Sequence, residues 1–136
     1  EGENAGYILR ISRKKWVKQV FERTKYYVGI KRRWKPGQTI LFVHRTLKGD
    51  AFIGYGVINS FQSLEELSES ERTECEKWGW NGAVDFKYVV RFEKPVLVKE
   101  TPLGGSKLKG KYLHGVKISK EYVDSVLAVA ELCERV

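Results

Sequence analysis

Lys31, Arg32, Arg33, Trp34 and Lys35 are consecutive, four cations around one indole. Cations hold phosphate oxygens and an aromatic face stacks on an unpaired base, so these five residues combine the two contacts that single-stranded nucleic acid offers. Arg45 and the trio Lys107, Lys109 and Lys111, spaced through a glycine-rich stretch, are the other cations expected to meet phosphates. Trp78, Trp80 and Asn81 lie close together in the chain and, with Trp34, are the candidate walls of a base pocket. Two bland readings compete: Trp34 could plug the end of a barrel with the cations merely solvated, and Trp78 falls on the inner stripe of a helix, which favours the core. Trp16 is read as core.

Catalytic chemistry has less to stand on. His44 and His114 are the only histidines, and the chain contains no G-x-S-x-G, no P-loop, no H-x-E with C-x-x-C and no carboxylate pair beside a glycine turn. A nuclease or hydrolase would have to work through His44 with Arg45; a histidine satisfied within a strand is the simpler account. Cys75 and Cys133 are far apart, each followed by Glu, with no histidine cluster around them, and are expected to be buried and reduced. No metal site and no cofactor is expected.

Charge is distributed unevenly. Residues 1–60 hold 13 Lys or Arg against four Asp or Glu, a net of +9, whereas residues 61–80 have a net of −4 and residues 81–136 a net of +3. A basic first half set apart from an acidic stretch points to a polyanionic partner. The acidic stretch, Glu65 to Glu76, could itself dock a basic protein, though such a stretch is more often only a solvated helix face.

The elements that must position these groups follow from periodicity. Gly6–Ile11 reads as a strand. Ser12 is expected to cap a helix running to about Glu22, whose inner face carries Trp16, Val17, Val20 and Phe21. Tyr26–Ile30, Thr39–His44, Phe52–Phe61 and Val84–Phe92 read as strands, with a further short one after Pro95 and another at His114–Ile118. In the strand from Phe52, Ile53, Tyr55 and Val57 should share one face and Gly54 and Gly56 leave the other bare, which permits a bulge, tight barrel curvature or close approach of another group. Residues 63–78 form a helix, or a turn followed by one, with Ser68 and Glu71 at capping-box spacing. Ser119 caps a final helix that buries Tyr122, Val123, Val126, Leu127, Ala130 and Cys133. The whole of 1–136 is expected to be one domain with a frayed start.

The order of the Pro36-Gly37 turn, Ile40-Leu41-Phe42-Val43, a short polar loop and Ile53-Gly54-Tyr55-Gly56-Val57-Ile58 closely resembles the central hairpin of PUA-like domains, a superfamily that includes ASCH, EVE and YTH domains. The chain also looks similar to a branch of small stand-alone archaeal proteins of this kind. Gln38 stands where Asp is usual, and Gly29-Ile30-Lys31-Arg32-Arg33 lacks the Glu of the ASCH signature, which argues against ASCH-type nuclease chemistry. The resemblance implies an α+β fold built on a small mixed β-barrel of six or seven strands with two or three peripheral helices. It implies a binding module, not an enzyme, whose partner is RNA or a modified nucleotide held by a basic surface and an aromatic pocket. A monomeric, cytoplasmic protein free of membrane contact is the accompanying expectation.

Overall fold

The computed structural model describes residues 5–101 and 113–135, with side chains described as far as residue 130. Strands β1 (Gly6–Arg10), β2 (Lys25–Val28), β3 (Thr39–Thr46), β4 (Gly49–Ser63), β5 (Gly82–Leu97) and β6 (Lys117–Ile118) form one sheet in the order β2-β5-β4-β3-β1-β6. Only β1 and β3 are parallel; the other neighbours are antiparallel. Helices α1 (Lys14–Arg23), α2 (Glu69–Trp78) and α3 (Lys120–Arg135) complete the fold, with 3-10 turns at Leu64–Glu66 and Val98–Glu100.

The expected closure into a barrel does not occur. The sheet is open, and its two outer strands are the shortest, four residues in β2 and two in β6. Strands this short offer too few ladder hydrogen bonds to join across the gap, and short edges also resist pairing with other chains.

Each face of the sheet has its own core. Tyr7, Leu9, Ile40, Phe42, Ile58 and Phe86 on one face pack with Val17 and Val20 of α1. Ile8, Leu41, Val43, Phe52 and Val96 on the other pack with Val123, Val126 and Ala130 of α3. The alternation of Tyr7 through Val43 between these cores is the strand period of two. In β4 that period breaks. A register shift between Phe52 and Gly54 places Ile53 with the α1 core while Tyr55 packs towards the α3 core, so Ile53 and Tyr55 do not share a face. An extra residue in one strand reverses the facing of everything beyond it. At Gly54 the missing side chain admits the close approach expected there: a Cβ would stand 2.8 Å from the Phe21 ring and 2.3 Å from the Val90 carbonyl oxygen. Glycine is what lets α1 and β5 approach.

Other local differences have similarly plain causes. The N-cap of α1 is Arg13, extended and without a side-chain cap hydrogen bond, not Ser12, because the Ile11 N–H still bonds the Val43 carbonyl and delays the chain's departure from the sheet. The expected strand after Pro95 is the end of β5 itself. Proline is tolerated there because β2 pairs only with Gly82 to Asp85, leaving that side of β5 without a partner farther on. The Ser68–Glu71 capping box forms as expected, and the Ser119 hydroxyl accepts from the Tyr122 N–H at 3.1 Å.

Candidate functional site

The segment between β2 and β3 crosses one end of the sheet and is held there by a few specific bonds. Pro36 and Gly37 turn the chain into β3, and buried Gln38 fixes that turn by accepting from the Lys35 N–H at 2.9 Å through Oε1. Arg32 Nε donates to the Gly115 carbonyl at 3.0 Å and its Nη1 to the Lys31 carbonyl at 2.7 Å. Gly115 has φ +85°, and a Cβ there would fall 2.7 Å from the Arg32 guanidinium, so glycine sets both the turn before β6 and the seat of Arg32. The Arg33 N–H reaches the Tyr7 hydroxyl at 3.3 Å.

Two clefts flank this segment. The larger, about 740 Å³, is bounded by Lys31, Arg32, Arg33, Lys35 and Lys117 together with Tyr7 and Gln38. Among the described residues five cations and no carboxylate line it, and the four cations from the loop are exposed. The smaller, about 360 Å³, shares Lys31, Arg32 and Arg33 but adds Ile30, Trp34, Phe61 and Asn81. Trp34 is half-buried and packs edge-on against Tyr7, ring centres 5.1 Å apart at 63°. Thus Trp34 both braces the end of the sheet and borders a cleft. The Asn81 side chain donates to the Gly29 carbonyl at 2.8 Å, which leaves its own carbonyl oxygen for a ligand.

Trp78 and Trp80 are placed differently. Trp80 stacks on Tyr27 (5.5 Å, 12°) and on Trp78 (5.8 Å, 20°), while Trp16 meets both indoles edge-on. Arg13 and Lys15 lie over both Trp16 and Trp78, and Lys77 over Trp78, all within 5.7 Å of the ring centres. The Trp78 indole N–H donates to Glu74 at 2.8 Å. Trp16 and Trp78 are half-buried and not fully enclosed. Tyr27 anchors this group through a 2.6 Å hydrogen bond to Glu71, which Lys25 also pairs at 3.1 Å. The Tyr27 hydroxyl, then Ser68 and Lys25, hold the Glu71 carboxyl down at about 2 against some opposition from burial.

The histidines are occupied by backbone. His44 Nδ1–H donates to the Ile11 carbonyl at 2.7 Å. His114 Nδ1 accepts from the Arg10 N–H at 3.0 Å, and burial followed by the charges of Arg32 and Arg10 lowers its pKa, so the neutral ring is favoured. Arg45 is remote from the loop, in a third cleft of about 540 Å³ with Ser12, Lys14, His44, Thr46 and Leu47. Cys75 is buried and free. The side chain of Cys133 and the residues Lys107, Lys109 and Lys111 lie outside the described residues. Among the described residues no three His, Cys, Asp or Glu side chains gather as metal ligands, and no helix is long and apolar enough to cross a membrane.

The sequence matches no family model and no curated protein. Among solved structures, the ASCH protein of Zymomonas mobilis superposes with a TM-score of 0.68 at 10% identity, over 93% of this chain and 96% of that one. A single-substitution variant of the same protein gives 0.66 at 10% identity over 95% and 99%. The YTH domain of Mmi1 gives 0.62 at 10% identity over 99% of this chain and 97% of its own. The fold is the one seen in these ASCH and YTH structures. At such identity the likeness is one of backbone, and side-chain roles must be argued on this chain's own residues.

On that frame, Lys31 to Lys35 and Asn81 meet at adjoining clefts, while Trp78 and Trp80 line neither of them. Lys117, Tyr7 and Phe61 were missed by sequence reasoning. Lys117 is one cation among many, and only the antiparallel pairing of Tyr7 with Lys117 brings it to the loop. Gln38 did carry a signal, the amide in place of the usual acid beside the turn.

Proposed function

We propose that this PUA-like protein binds RNA or a modified nucleotide at the end of the sheet spanned by Lys31 to Lys35. The observation that carries the reading is the adjacency of two unlike clefts on one loop: one in which five cations join Tyr7 and Gln38, and one bordered by Trp34, Phe61 and Asn81. Phosphates are held in the first by Arg32, Arg33, Lys31, Lys35 and Lys117, where no carboxylate of the described residues competes. A base enters the second against the rings of Trp34 and Phe61, with the Asn81 amide to read an edge. The sequence resemblance to PUA-like domains supports the same class of partner. The basic residues Lys107, Lys109 and Lys111 belong to this reading as further phosphate contacts.

Hydrolysis through His44 is not favoured. Among the described residues no carboxylate borders its cleft, and the only hydroxyls there are those of Ser12 and Thr46, the latter already donating to the Gly49 carbonyl. Docking of a basic protein on the acidic helix is weakened because Glu66, Glu71 and Glu74 are engaged within the chain.

The test is a salt titration of affinity for a short single-stranded RNA, with modified nucleosides as competitors, on the parent and on Arg32→Glu combined with Arg33→Glu. The expected result is a steep salt dependence in the parent. Losing two phosphate contacts reduces its slope by about 1.4, at roughly 0.7 per contact on single strands. Unchanged affinity and slope in the double variant would sink the reading.

A further inference from the structure

Arg45 lies at the opposite end of β3 from Gln38, and the cleft it shares with Ser12, Lys14, His44 and Thr46 has no residue in common with the two around the loop. The parallel pair β1 and β3 sets the separation. Gln38 and Arg45 are seven residues apart along β3, which at a strand rise of about 3.3 Å is about 23 Å; Tyr7 and Ser12, five apart on β1 and its continuation, are about 17 Å apart. The two strands run in one direction, so both place the loop clefts at one end and the Arg45 cleft at the other.

The second cleft has the same chemical character as the first. Lys14 and Arg45 are exposed and, among the described residues, no carboxylate borders it. The acid opposite Arg45 in the β3–β4 register is Asp50, which is turned to Arg10 in an ion pair at 3.2 Å. His44 is fixed by its Nδ1–H bond to Ile11, so its Nε2 is the ring atom left to contact a ligand. Ser12 and Thr46 add hydroxyls; that of Thr46 already donates to the Gly49 carbonyl at 2.7 Å. Cations with hydroxyls and without acids suit a phosphate diester.

Resting on the reading of the loop as a nucleic-acid contact, we propose that the Lys14–Arg45 cleft is a second phosphate site for the same polyanion, so that the ligand is a strand crossing about 20 Å of protein and not a free nucleotide. A strand of roughly four nucleotides or fewer engages only the loop; a longer one reaches both ends. Binding at the second end is then intramolecular, and affinity climbs with strand length once both are spanned.

The experiment measures affinity of the full chain for single-stranded RNA of increasing length, from four nucleotides to twenty, at one salt concentration. In the parent, affinity rises by on the order of tenfold or more over that range beyond the statistical gain from extra registers. Lys14→Glu with Arg45→Glu abolishes that gain and leaves the four-nucleotide affinity as it was. A charge-matched control, Lys94→Glu with Lys99→Glu, alters exposed lysines at the end of β5 and after it and keeps the gain. Lys14→Gln with Arg45→Gln repeats the test without introduced acids. The inference is overturned if the parent shows no gain, if the Lys14–Arg45 variants keep it, or if the control loses it equally. The loop reading fails separately, if Arg32→Glu with Arg33→Glu binds the shortest strand as the parent does.

Discussion

Trp34 and Trp80 are both half-buried indoles near one end of the sheet, yet their surroundings differ in kind. Trp34 has an edge-on contact with Tyr7 and borders a cleft with two arginines and a lysine. Trp80 is stacked against Tyr27 and Trp78, and Trp16 meets it edge-on. An aromatic ring can receive a base only where a face is not already covered. The comparison therefore divides the tryptophans into one that can serve a ligand and three that serve each other, holding the start of α1 to the end of α2.

The largest effect that tests this division is on stability. Trp80→Ala removes the ring that joins Tyr27, Trp78 and Trp16, and is expected to cost about 3 kcal/mol, the low end for loss of a buried tryptophan, measured as a lower urea midpoint with an unchanged m-value. RNA affinity should stay within about twofold under conditions where the variant is folded. Lost affinity with full stability would reverse the assignment and make Trp80 the base platform.

Trp34→Ala is the reciprocal change. It is expected to weaken RNA binding by about 1–3 kcal/mol, the worth of one stacked base, with no change in salt slope because no charge is removed. Some stability is lost with the Tyr7 contact, by less than in Trp80→Ala. Should binding persist while stability falls as far as in Trp80→Ala, Trp34 is only a plug for the end of the sheet.

How far this contrast could be read in the sequence depended on whether a residue's neighbours are local. The strand around Ile40 to Val43, the Ser68–Glu71 box and the cations flanking Trp34 are contiguous patterns, and each was legible. The faces of Trp34 and Trp80 were not, because their partners come from β1, β2 and α1, far away in the chain. Closure of the sheet failed for a related reason: periodicity reports which residues are strand but not whether two short edges can meet. The bulge at Phe52 to Gly54 has no mark in the sequence beyond a glycine, and so the facing of Ile53 relative to Tyr55 was lost with it.

A smaller effect reports on the anchor of the tryptophan group. Folding depresses the Glu71 pKa from 4.5 to about 2, chiefly through the Tyr27 hydroxyl. A carboxyl lowered by folding stabilises the native state above its unfolded pKa, and that contribution is lost as pH falls from about 4.5 towards 2. The parent should thus lose stability across this window, and Glu71→Gln should show a shallower loss there with a lower plateau at neutral pH. A parallel pH profile in the two proteins would mean that Glu71 does not hold Tyr27 beneath Trp80. His114 also contributes to acid sensitivity, since its lowered pKa favours the neutral ring and its stabilising effect fades below about pH 6.5; the variant leaves that component intact, which separates the two.

The smallest effect distinguishes cations that serve the fold from cations that serve a ligand. Arg13 lies 5.3 Å from the centre of Trp16 and 5.1 Å from that of Trp78, whereas Arg33 is exposed, and the bond described for it is made by its backbone N–H. Arg13→Ala is expected to lower stability by about 0.5–1 kcal/mol, the usual worth of an exposed cation–π contact, with a change in tryptophan emission as the indoles gain water. Arg33→Ala should leave stability and emission of the free protein as they are and weaken RNA binding with a salt slope reduced by about 0.7. If the two substitutions instead lower RNA affinity alike, Arg13 is not committed to the indoles, and the surface around Trp16 and Trp78 must be counted with the loop as part of the strand's course over the protein.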